Sequence, residues 1–78
     1  MKAGQIVRSV AGRDKNIFFV VTAVDGAYAV ICDGKSRPVE HKKRKKLIHL
    51  RKTNHFVELE KVKTNKEFRT VLHPFNYE

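Results

Sequence analysis

Apolar residues fall in short segments about ten positions apart with turn residues between them, the pattern of a small all-β protein. Residues 5–10 alternate, with Ile6 and Val10 on the face that carries the stem of Arg8 and Val7 on the other. Residues 17–24, IFFVVTAV, are β-branched and aromatic throughout, which predicts a strand covered on both faces. Asp25-Gly26 then reads as a two-residue hairpin turn, since glycine accepts positive φ at no steric cost. Residues 27–32 form the return strand, and Asp33-Gly34 makes a second turn. Residues 35–41 are polar, and Pro38 confines any strand there to a sheet edge. A last short strand is expected at 46–50, with Ile48 and Leu50 on one face and Leu47 on the other. Five strands in about 50 residues predict a mainly β fold, a partly open, small SH3-like barrel.

Residues 51–78 have a different texture. Positions 56–59 suit a sixth short strand or an extended strap. Thr64-Asn65-Lys66-Glu67 has the spacing of a capping box. Phe68, Val71 and Leu72 follow on one helical face, and Pro74 should stop the helix, giving a short C-terminal helix at 65–73. So short a helix is not stable alone in water, so it is expected to dock on the barrel. The organisation expected is a barrel over 1–52 and a C-terminal extension over 53–78.

Length and charge narrow the function. Seventy-eight residues make one domain, too small for a doubly wound sheet. A lone Cys32 excludes an internal disulfide and a zinc knuckle. The longest uninterrupted apolar run, residues 27–32, is far too short to span a bilayer. Arg8 falls where a signal peptide would need its apolar region, so a soluble, cytoplasmic protein is expected. The net charge of +9 is concentrated: residues 35–52 hold nine basic side chains and only Glu40, while 1–34 and 53–78 are close to balanced. Five consecutive cations, Lys42, Lys43, Arg44, Lys45 and Lys46, repel one another at a cost a purely structural loop has no reason to carry. With Lys35 and Arg37 they point to a polyanion; a nuclear localisation signal would use the same residues but has no other support.

The loop between the first two strands, residues 10–16, adds geometry to charge. Gly12 allows a tight departure from the strand, Arg13 and Lys15 occupy the tip, and Asp14 between them can close an Asx-type turn. These residues, with Gly4-Gln5-Ile6-Val7 before them and Val20-Val21 and Asp33-Gly34 after, resemble a KOW motif over about residues 3–50. The likeness is to KOW-containing large-subunit ribosomal proteins of the eukaryotic and archaeal type and to small bacterial proteins built like them. It implies an SH3-like barrel that binds RNA, chiefly ribosomal RNA, through the first loop and the neighbouring basic surface. Carried onto this chain, it points to Gly12, Arg13 and Lys15. One position departs: the KOW pattern usually has glycine where this chain has Asn16, the residue next best suited to positive φ.

Other classes fare worse. Cys32, Asp33 and the four histidines form no nucleophile elbow, phosphate loop or metal-ligand spacing, and cations flank His41 and His49. No enzyme activity, catalytic residue, metal or cofactor is expected. A Tudor-like aromatic cage would need aromatics to spare, and a +9 domain repels a basic tail. Tyr28 alone is placed to stack a base. A module that binds an acidic protein surface is the alternative. The leading expectation is a ribosomal or ribosome-associated protein, monomeric when free, that binds ribosomal RNA through residues 11–16 and 41–46, with ribosomal proteins as further partners and no membrane role.

Overall fold

The computed structural model describes residues 1–77. Among these, β1 (Gln5–Ser9), β2 (Phe18–Asp25), β3 (Tyr28–Cys32), β4 (Lys43–Lys46) and β5 (Leu50–Phe56) form one antiparallel sheet, ordered β4-β3-β2-β1-β5. The helix α1 (Asn65–Asn76) follows. Both faces of the sheet are covered, because the central strands are apolar at consecutive positions. On one face Val7 pairs with Phe19 and Val21 with Ile31; Ala29 and Leu50 complete this buried inner cluster. On the other, Ile6, Val20 and Cys32 make a continuous row across β1, β2 and β3. Val62, Phe68 and Leu72 lie over that row. Burial raises the Cys32 thiol above its ordinary value, the thiolate being desolvated there.

The edge strands β4 and β5 are consecutive in sequence and joined only by a 3-10 turn at Leu47–His49. So short a link forces the sheet to curl until its edges approach, with Leu47 packed against the inner cluster. No strand pairing closes the curl: the sheet remains open. This differs from the expected strand at 46–50. Lys46 ends β4, Leu47, Ile48 and His49 turn the corner, and Leu50 opens β5. β5 runs from 50 to 56, so the expected division at 52/53 falls inside a strand.

The first hairpin is shifted by one residue. Asp25 pairs with Tyr28, which leaves Gly26-Ala27 as the two-residue loop, with Gly26 at φ +59°. Residues 57–62 form the strap: Val57 N–H donates to Gly4 O at 2.8 Å, and Val57, Leu59 and Val62 pack against the helix-side core.

The capping box is present as expected. Glu67 N–H donates to Thr64 Oγ1 at 3.2 Å, and Thr64 N–H donates to Glu67 Oε1 at 3.0 Å. Phe68 and Leu72 are buried, and each contributes about 1.5–3 kcal/mol by removing apolar surface from water. Pro74 does not end the helix, which continues to Asn76. The lost backbone bond is offset by tertiary contacts. Phe75 packs 5.4 Å from the Phe18 ring, Phe18 N–H donates to Asn76 Oδ1 at 2.8 Å, and Asn76 Nδ2 donates back to Phe18 O at 3.2 Å. Asn76 thus satisfies a strand's backbone as another strand would. Among the described residues no helix is long and apolar enough to cross a membrane.

Candidate nucleic-acid interface

The β1–β2 connection departs from Ser9 and contains a 3-10 turn at Gly12–Asp14. Its backbone is bound at both ends: Ser9 N–H donates to Ile17 O, Asn16 N–H to Ser9 O and Val10 N–H to His49 O, all within 3.0 Å. Gly12 has φ +75°, and Asn16 has φ +72°. Asn16 therefore takes a left-handed backbone, a conformation asparagine tolerates better than most residues with a side chain, and the turn closes there.

Asp14 faces inward. It is 5% exposed and lies between two cations, Lys45 Nζ at 3.6 Å and Arg37 Nη2 at 3.3 Å. Lys45 Nζ also donates to Ala11 O at 2.8 Å. The expected Asx turn is replaced by a cross-molecular clamp that ties the loop to β4 and to the Asp33–Arg37 turn. That turn is itself closed by the Asp33 carboxylate, which accepts from Lys35 N–H, Arg37 N–H and the Ser36 hydroxyl.

The clamp sorts the expected contact residues. Gly12, Arg13 and Lys15 are exposed at the loop, as are Lys35, Lys42, Arg44 and Lys46 nearby in sequence. Lys45 is buried and committed to Asp14 and Ala11 O, whereas half-buried Arg37 gives Nη2 to the same carboxylate. Lys43 is half-buried, facing the interior opposite Ile31. The basic run is therefore no flexible block but a strand with alternate side chains out. Arg44 lies 3.9 Å over the Tyr28 ring, and its pairing with exposed Asp25 at 3.9 Å is worth little in solvent. Tyr28 thus carries a guanidinium on its face and is half-buried.

One cationic pair escapes a reading of the sequence. Arg8 on β1 and Arg51 on β5 stand directly opposite each other, both exposed. Like charges in that position repel unless an anion lies between them. Arg8 Nη1 reaches Asn16 Oδ1 at 3.4 Å, which joins this pair to the loop. Only strand register brings the two together, and register is invisible before the fold is known.

Among the described residues no group of three or more His, Cys, Asp or Glu side chains is placed to hold a metal ion. No protein-family model matches the chain, and no curated protein matches it.

Proposed function

We propose that this chain is a cytoplasmic RNA-binding protein of the KOW type, that its curled sheet is an SH3-like barrel, and that its ligand is ribosomal RNA. In this reading it serves as a ribosomal or ribosome-associated protein. A meander of four strands whose fifth returns beside the first supports the barrel assignment. The observation that carries the functional reading is the buried Asp14. It pairs with Lys45 and Arg37, fixes the loop, and leaves Arg13 and Lys15 projecting from a rigid turn. Preorganised cations lose less entropy on meeting a phosphate than mobile ones do. Lys42, Arg44 and Lys46 supply further charge, and the Arg8–Arg51 pair adds a site whose repulsion a phosphate would relieve.

Binding of this kind releases counterions. With about six phosphate contacts, log K against log salt should have a slope of about −4 to −6. A ribosomal RNA fragment titrated at several salt concentrations measures it, and a slope near zero contradicts the mechanism.

A further inference from the structure

The tail looks neutral in the sequence, with four basic and four acidic residues from 53 onward. The fold engages two of the four acids elsewhere. Glu67 is engaged in the helix cap, and Glu58 lies 3.5 Å from Lys61 in the strap. On α1, Lys66, Arg69 and His73 recur at helical spacing on the face turned away from buried Phe68 and Leu72, and Tyr77 follows just past the helix end. They line an open groove to which, among the described residues, no carboxylate contributes.

That groove continues towards the loop. Tyr77 also lines a second groove, with Asn16, Asp33, Lys35 and Asn76. Lys35 Nζ, from the Asp33–Arg37 turn, donates to the Tyr77 hydroxyl at 3.1 Å, and Arg69 Nη1 donates to Gly34 O at 2.8 Å, so these two cations join the turn to the helix and the residue after it. Among the described residues the one carboxylate here, Asp33, already accepts three hydrogen bonds from its own turn. A band of positive and aromatic groups therefore runs from Asn16 over Lys35 and Tyr77 along the helix.

We propose that this face of α1 binds the sugar-phosphate backbone of a single-stranded RNA segment leaving the hairpin loop, with Lys66 and Arg69 on phosphates and Tyr77 as a stacking surface. The inference rests on the RNA-binding reading above and extends it: the C-terminal helix is part of the interface as well as a cover for the core. Cations spaced along an open groove fit an extended polyanion better than a folded acidic protein.

The test uses an RNA hairpin with and without a single-stranded extension of about eight nucleotides. Wild-type protein should bind the extended hairpin about tenfold more tightly than the blunt one. Lys66→Gln/Arg69→Gln should abolish that gain, leave blunt-hairpin binding unchanged, and make the salt slope on the extended RNA shallower by about 1.5. Because Arg69 also braces Gly34, Lys66→Glu serves as the second variant; its side chain is exposed, and it should lose the gain with an unchanged melting temperature. An extension that adds nothing, or a gain that survives both variants, overturns the proposal while the loop reading stands. Tighter binding of polyglutamate than of the extension at this face also overturns it. If wild type binds neither hairpin, the RNA reading fails and this one with it.

Discussion

Lys45 sends its ammonium group across the curled sheet to within 3.6 Å of the Asp14 carboxylate, and both side chains are less than a tenth exposed. A strand whose composition suggests solvent thus gives one of its cations to the interior. The hydrocarbon stem of Lys45 continues the inner face beside Ala29, its cross-strand partner, while the charge is met by Asp14 and Ala11 O. The same contact makes the loop rigid.

Removing the carboxylate should be far worse than removing the lysine. Asp14→Ala leaves the buried Lys45 ammonium without its counterion, which costs about 3–5 kcal/mol. Lys45→Met keeps the stem and leaves Asp14 paired to Arg37, so the expected loss is below about 2 kcal/mol. Urea denaturation of the two variants measures both values. Equal losses would mean that the clamp is not the loop's main restraint.

Two glycines at positive φ should respond very differently to alanine. Gly34 has φ +75°, and an added Cβ would collide with the Asn65 carbonyl at the start of α1. Gly26 has φ +59° with open space around it. Gly26→Ala should cost about 1–2 kcal/mol from backbone strain alone. Gly34→Ala should cost at least about twice as much, because the helix must move. Thermal melting distinguishes them, and similar melting temperatures would argue against this packing of α1.

Acid should loosen the attachments of the helix. Backbone donors at Lys63 and Thr64 hold the Glu67 carboxyl below its ordinary value of 4.5, and the Asn65 side chain does the same for Glu40. Each group's folded value lies below its unfolded one. Their stabilisation is therefore full above pH 4.5 and is lost as pH falls through the lower folded values. Glu67→Gln should flatten the fall in melting temperature below that point. An unchanged pH profile in this variant would remove the cap from the account.

The sheet was largely legible because β-branched and aromatic runs have few alternatives: residues 17–24 and 27–32 form strands within a residue or two of expectation. The capping box was equally plain, since its chemistry is local. What escaped depends on partners distant in sequence. Lys43–Lys46 reads as a solvated loop until pairing with Tyr28–Cys32 makes it an edge strand, and only then do its side chains divide between interior and solvent. Pro74 reads as a stop because Phe75 and Asn76 find Phe18 only in three dimensions. Asp14 reads as a turn residue because its two partners lie 23 and 31 positions away. The exposure of Gly12, Arg13 and Lys15 is legible from the polar composition of the loop alone.

The central claim is that a clamped loop and a basic strand do different work on RNA. Arg13 offers a planar fork on a fixed turn, whereas Lys42, Arg44 and Lys46 provide charge on a strand. Arg13→Ala should cost about 1–3 kcal/mol on a ribosomal RNA fragment and much less on a scrambled control. Replacing Lys42, Arg44 and Lys46 with serine, leaving buried Lys45 in place, should weaken both RNAs by similar factors. The direct measurement is a side-by-side equilibrium titration of the two variants against both RNAs at one salt concentration. The account predicts selective loss for Arg13→Ala and uniform loss for the triple variant; equal losses on both RNAs for both variants would contradict it.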